Sequence, residues 1–225
     1  MKVTPIKTHK ITLKDNNLFI VLDNYLPLIK ERSVIAVSSK IAAICEGRVV
    51  KMGTVDKDEL IKQESDRYLP RHANRYHVSL TITNGDLVAT AGIDESNGDG
   101  YYILWPKNPQ QTANKIRSYL KKKLKLMNIG VILTDSVTSP LRMGVTGTGI
   151  AHSGFSALNN YIGKNDIFGR KLEFTKVNIM NGLAASSVVV TGEGKEQTPL
   201  AVIEDVPFVK FQDRNPTKKE LSDLK

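Results

Sequence analysis

Cysteine is almost missing. Cys45 stands alone among 225 residues, so no disulfide can form within the chain. That fits a reducing compartment. Long hydrophobic runs are missing too, since none approaches the roughly 18 apolar residues of a membrane span. Met1 to Lys10 has no apolar central stretch, so no secretory signal is expected. There is no Gly-x-x-x-x-Gly-Lys-Ser/Thr loop, which excludes a standard P-loop protein. Gly147-Thr148-Gly149 lacks the third glycine of a dinucleotide fingerprint. No Cys-x-x-Cys or His-Glu-x-x-His occurs, against a structural or protease-type zinc site. No Gly-x-Ser-x-Gly elbow occurs either. These absences lead us to expect a soluble, cytoplasmic protein of one large domain or two small ones.

The chain carries a formal charge of +9. Such an excess serves solubility or an anionic partner equally well. Nucleic acid is the poorer candidate, because the lysines are dispersed and neither zinc-finger spacing nor a basic–aromatic motif is present. The densest group, Lys121-Lys122-Lys123 with Lys125, falls on a predicted helix whose other face is apolar. A polyanionic small molecule accounts for the charge as well.

Patterning gives a mixed order of strands and helices. We expect strands at 2–7, 34–37, 78–82, 87–93, 131–133, 171–179 and 200–203. Helices are expected at 16–25, capped by Asp15 or Asn16, at 56–68, and at 110–127. In the last of these Ala113, Ile116, Leu120, Leu124 and Met127 recur every three or four residues. Residues 183–190 read as a buried helix or strand. Asn84-Gly85 is a strong hairpin signal. Gly144, Gly147, Gly149 and Gly154 mark a glycine-rich stretch, and the tail from Lys210 is charged and expected to be peripheral.

Two acidic motifs stand out: Gly92-Ile93-Asp94-Glu95-Ser96-Asn97, and Thr134-Asp135-Ser136 after an apolar run. Each places an aspartate beside hydroxyl or amide groups where a strand is expected to end. One reading is that each aspartate caps a turn. The other is that folding joins them into an oxygen-lined site for a hard cation, at the strand ends where ligands collect in α/β architecture. Glu193, between Gly192 and Gly194, is a further candidate ligand or an exposed turn residue. Arg142 and Arg170 lie in glycine-containing stretches and could clamp phosphate or carboxylate. His72, His77 and His152 are isolated, and none is given a catalytic role.

Taken in order, these segments resemble the family of coenzyme F420-0:L-glutamate ligases over about residues 33–204. The resemblance runs through Ser39-Lys40-Ile41 with Glu46-Gly47-Arg48, the Gly92–Asn97 motif and Leu104-Trp105-Pro106. It continues through Ala113 with Ile116-Arg117, Thr134-Asp135-Ser136, and Arg142 with Gly144. Gly163, Asp166 and Gly169-Arg170-Lys171-Leu172 follow, and Leu183-Ala184-Ala185 and Gly192-Glu193-Gly194 close the series.

The resemblance implies an α+β fold of mixed sheets and helices without a P-loop. Residues 1–209 would form one ligase domain, or two intimately packed subdomains, with a charged tail at 210–225. It implies a homodimeric amide ligase using GTP, or ATP, with Mg²⁺ or Mn²⁺. L-glutamate would be joined to an anionic acceptor, either a deazaflavin precursor or a folate; a nucleotide-binding module without catalysis is the alternative. Metal ligands would be Asp94, Asp135, Ser136 and Glu193. Nucleotide contacts would come from His9, Lys10, Ile11 and Thr12, from Ser39, Lys40 and Asn97, and from Gly192, Gly194, Lys195 and Glu196. Lys40, Arg142 and Arg170 would stabilise the transferring phosphoryl group. The sequence departs from the family pattern at Ile44-Cys45, where lysine is usual before the glutamate, and at Asn181-Gly182, where an Asp-Glu pair is usual.

Overall fold

The computed structural model describes every residue except Pro140 and Lys225. Its centre is a five-stranded sheet built from β1 (Lys2–Ile6), β2 (Ser33–Ser38), β8 (Ile129–Thr138), β9 (Val145–Ser153) and β12 (Leu200–Glu204). The spatial order is β1-β12-β2-β8-β9. Only β2 and β8 run parallel; the other pairs are antiparallel.

Period two explains why β2 is apolar throughout. Ile35 and Val37 face one layer, holding α1 (Leu18–Tyr25), α2 (Ser39–Cys45) and α4 (Pro109–Leu124). Val34 and Ala36 face the other, which holds α5 (Ile179–Thr191). A smaller lobe is inserted between α2 and α4. It contains β3 (Val49–Lys51) paired with β7 (Tyr101–Ile103), helix α3 (Lys57–Glu64), and a sheet of β4 (Arg67–Leu69), β5 (Leu80–Thr83) and β6 (Asp86–Ala89). Its own core gathers Leu60, Ile61, Ala91, Ile93 and Leu104. Strands β10 (Leu158–Asn160) and β11 (Lys176–Asn178) pair before α5, and α6 (Lys218–Ser222) lies near the C-terminus. The α+β class is therefore as expected.

Helix α4 shows why local sequence decides an element. Asn108 caps it by accepting from Gln111 N, and Pro109 fills the first turn, where no amide donor is required. Lys125 ends it in the left-handed region, and Lys121 to Lys123 oppose the negative end of the helix dipole. Lys121 pairs with Asp213 and Lys123 with Asp23. Two of the four lysines in the densest basic cluster thus have local partners.

Several boundaries differ from expectation. Helix α1 begins at Leu18, capped by Asn17, because Asp15 is engaged by His9 and Thr12 N. Helix α3 stops at Glu64, because the chain turns to pair β4 with β5. Only 176–178 of the expected strand at 171–179 is regular, while residues 183–190 are helical. The glycine-rich stretch is strand β9. A Cβ on Gly147 would lie 2.5 Å from Ala184 O, and one on Gly149 2.6 Å from Met180 Cγ. The glycines let α5 lie directly on the strand. The tail is anchored: Phe211 packs on the α5-side core, and buried Arg117 donates to Gln212 O at 3.0 Å.

Candidate functional site

Register fixes the centre of the site. Ser38 at the end of β2 lies beside Thr134 of parallel β8. Helix α2 starts there, bringing Lys40 to the same place. A bulge between Leu133 and Thr134 shifts the pairing with β9, so Asp135 lies within β8, opposite Thr148, and not at a strand terminus as expected. Asp94 arrives differently. Strand β6 ends at Ala89, and Thr90, Ala91 and Gly92 then all take positive φ. That strained turn re-aims the chain so that Asp94 bridges to Ile103.

Lys40 Nζ bonds Asp94 Oδ2 at 2.7 Å, Ser96 Oγ at 3.0 Å and Ser96 O at 3.1 Å. Burial disfavours the charged Asp94, but the Lys40 ammonium and the Ser96 N–H outweigh it and hold the carboxyl below its ordinary range. Asp135 accepts from Trp105 Nε1 at 2.5 Å and from Ser136 N at 2.9 Å. Burial nonetheless pushes its carboxyl up to about 6, with neighbouring Asp94 adding to the effect. Ser136 Oγ donates to Glu193 Oε2 at 3.2 Å. Asn97 Nδ2 donates to Gly194 O at 3.0 Å, tying the two loops together.

All of these residues except Ser96 and Trp105 line one cavity of about 190 Å³. The proposed metal ligands Asp94, Asp135, Ser136 and Glu193 all face it. So do Lys40 and Asn97, the N-terminal residues His9, Lys10 and Ile11, and Gly192, Gly194, Lys195 and Glu196. Glu196 folds back to accept Gly194 N at 2.8 Å, so its carboxylate shapes the turn.

Four expected residues lie outside the lining. Thr12 caps toward Asp15, and Ser39 is buried at the start of α2. Arg142 lies in the loop between β8 and β9, and the backbone N–H of Arg170 bonds Asp166 in the loop between β10 and β11. Glu46 and Arg48, in the segment likened to nucleotide contacts, also point elsewhere. Glu46 accepts from Thr112 Oγ1, while Arg48 donates to Trp105 O at 3.1 Å and pairs with Glu64. They hold the segment that presents Trp105. The contact of Trp105 with Asp135 was not foreseen, and nothing local signals it.

The donor set suits a hard cation, being carboxylates and a hydroxyl with no sulfur or imidazole among the four expected ligands. Among the described residues, no three Asp, Glu, His or Cys side chains form a ready-made cage. Such a set fits an ion of the Mg²⁺ type, which typically takes one or two carboxylates and completes its shell with water and phosphate oxygens. Among the described residues, no helix is long and apolar enough to cross a membrane.

Comparison with known proteins gives the family. The sequence model described as F420-0:Gamma-glutamyl ligase matches residues 5–205. A coenzyme F420:L-glutamate ligase of Methanocaldococcus jannaschii is 42% identical over 127 residues, covering 56% of this chain and 51% of that protein. One from Methanococcus maripaludis strain C7 is 41% identical over 138 residues, covering 61% and 54%. One from Methanosarcina mazei is 26% identical over 225 residues, covering 92% and 88%. The chain thus spans about half the length of the first two relatives.

Proposed function

Because the chain belongs to the F420-0:Gamma-glutamyl ligase family, we propose that it joins L-glutamate to an acceptor carboxylate at the expense of a nucleoside triphosphate, GTP in the first instance. The observation that carries this reading is the single cavity where Lys40, Asp94, Asp135, Ser136 and Glu193 meet the turn from Gly192 to Glu196. The relatives' name supports a deazaflavin-type acceptor. A folate is the second acceptor to test, because Asn181-Gly182 lies where the notable departure in sequence falls.

A carboxylate resists amines because its oxygen is a poor leaving group. Transfer of the γ-phosphoryl group to a carboxylate oxygen breaks the bond to the β-phosphate and releases the diphosphate. The glutamate nitrogen then attacks the acyl carbon, the C–N bond forms as the C–O bond breaks, inorganic phosphate departs, and the amine loses a proton. Asp94, Asp135, Ser136 and Glu193 would hold Mg²⁺ or Mn²⁺, which when bound offsets charge on the β- and γ-phosphates. Lys40 adds a fixed positive charge on the same side. The backbone of Gly192 to Gly194 and residues His9 to Ile11 would position the nucleotide.

The test is purified protein with GTP or ATP, Mg²⁺ or Mn²⁺, glutamate, and each acceptor separately, read by mass spectrometry. A glutamyl adduct formed only with nucleotide and metal is the expected result. D135N should abolish it; full GTP-dependent ligation by D135N would refute the metal assignment. Nucleotide binding without turnover in wild type, with every acceptor, would leave a binding module without catalysis.

We also propose that the protein forms a homodimer. Met143 and Phe168 are 103% and 89% exposed, in loops on either side of β9 and β10. Covering both side chains at an interface between two copies would remove apolar surface from water.

A further inference from the structure

Asp94 differs from the other expected cation ligands in what already holds it. Asp135 accepts N–H groups from Trp105 and Ser136, and Glu193 accepts from the Ser136 hydroxyl. Asp94 accepts the backbone N–H of Ser96 on Oδ1 at 2.7 Å, and the Lys40 ammonium on Oδ2 at 2.7 Å. Among the described residues it is the one expected ligand that is ion-paired.

The ammonium of a lysine has three N–H donors. Those of Lys40 go to Asp94 Oδ2, Ser96 Oγ and Ser96 O. In this arrangement none is left for a phosphate oxygen. The pairing also bears on the cation. A dication of the Mg²⁺ type on Asp94 Oδ2 would lie less than about 5 Å from Lys40 Nζ, given a metal–oxygen distance of about 2.1 Å. A double charge and a single charge of the same sign repel strongly at that separation. Lys40 and the dication therefore compete for Asp94.

The competition can be resolved without moving the fold. Lys40 is the second residue of α2, and its flexible four-carbon stem lets Nζ turn while the helix stays in place. The two bonds to Ser96 can persist while the one to Asp94 is given up. Nζ then stays at the site and has one N–H free to face a new acceptor.

We propose that Lys40 is a built-in counter-ion of Asp94, exchanged for the divalent ion, and that the N–H it frees turns to the nucleotide's phosphates; the proposal rests on the ligase reading above. Lys40 thus opposes binding of the metal alone. The phosphate oxygens replace the acceptor that Asp94 withdraws. Metal and nucleotide then each strengthen the other's binding, by the same factor.

The test is titration of Mn²⁺ into the full chain without nucleotide, read as free Mn²⁺ by electron paramagnetic resonance, comparing wild type with Lys40→Met and Lys195→Met. Methionine keeps an apolar stem and drops the charge. Lys195 lines the same cavity and is exposed, so it reports the general effect of removing a cavity charge. K40M should bind Mn²⁺ at least about 10-fold more tightly than wild type, the scale of a bond to a charged group that no longer has to be broken. K195M should change by less than about 3-fold, as an exposed charge does. At saturating Mn²⁺, K40M should bind a non-hydrolysable GTP analogue at least about 10-fold more weakly. A folding defect would weaken both ligands, so opposite shifts mark the exchange. Mn²⁺ binding by K40M no tighter than by wild type would overturn the proposal and leave the metal reading standing. A gain in K195M equal to that in K40M would overturn it too. Tighter Mn²⁺ with unchanged analogue binding would overturn the turn toward phosphate. Mn²⁺ binding by neither wild type nor K40M would remove the metal reading itself, and the exchange with it.

Discussion

Gly92→Ala is the substitution whose cost the structure specifies most fully. Gly92 has φ of +71°, and a Cβ there would lie 2.2 Å from Trp105 Nε1 and 2.4 Å from Cε2. Ordinary contact is near 3.5 Å or more, so the indole must withdraw by roughly 1 Å. Trp105 is 4% exposed and has little free space to move into. The same nitrogen holds Asp135 at 2.5 Å, so retreat also breaks that bond. Positive φ alone costs an L-residue about 1–2 kcal/mol. A lost hydrogen bond to a charged group adds about 1.5–3 kcal/mol. Gly53 provides the control, because it has φ of +80° and nothing within 4 Å of the added Cβ. Gly53→Ala should therefore cost only the backbone term. We expect G92A to be less stable than G53A in urea by about 2–3 kcal/mol, which for a chain of this size is about 4–12 °C in Tm. G92A should also lose ligation, while G53A keeps it. Equal stability of the two variants would refute the coupling of Gly92, Trp105 and Asp135.

Buried His152 should make stability depend on pH. Its folded pKa of about 4 lies below the ordinary value of 6.5, so between these values the unfolded chain takes up the proton and the folded chain does not. The contribution of His152 to stability therefore falls as pH drops from 6.5 toward 4, by up to about 3 kcal/mol and against the opposite contribution of Asp135, and urea titrations of His152→Leu should show that contribution removed. Arg117→Met should cost about 2–4 kcal/mol, because Ile129 O and Gln212 O lose a buried donor; limited proteolysis should then cut first near Arg214. Phe168→Asp combined with Met143→Asp should convert a dimer to a monomer in light scattering, and an unchanged mass would remove these side chains from the interface.

What was legible in the sequence follows the range of the interaction. Helix α4 announced itself through its three-to-four spacing, and the hairpin through Asn84-Gly85, whose positive φ values the turn requires. Both are decided within a few residues. Strand β9 was not legible, because glycine argues against a strand unless a helix must lie directly upon it. That helix, α5, comes more than thirty residues later. Asp135 was placed near the correct spot but at a strand end, since the apolar run stops at Leu133 while the backbone ladder continues through the bulge to Thr138. Arg142 and Arg170 looked suited to phosphate by residue type alone, and type does not carry a side chain to a cavity.

The acidic motifs gain their chemistry from residues that are not acidic. A buried aspartate tends to become neutral, and a neutral carboxyl is a poor ligand for a dication. Asp135 is held against that tendency by two N–H donors, from Ser136 and Trp105. The indole stays in place because Arg48 grips Trp105 O and is itself fixed by Glu64. Glu46, at the end of α2, accepts from Thr112 of α4 and steadies the start of the helix that follows. The segment Glu46-Gly47-Arg48 therefore contributes to the site without entering it. Ile44 bears on that reading: it borders the cavity of the site and packs with Ala43 and Ile103, so it supports the wall where Asp94 pairs with Ile103. A charge added at Ile44 would lie between that apolar contact and the cavity it borders, and would weaken the packing on Ile103.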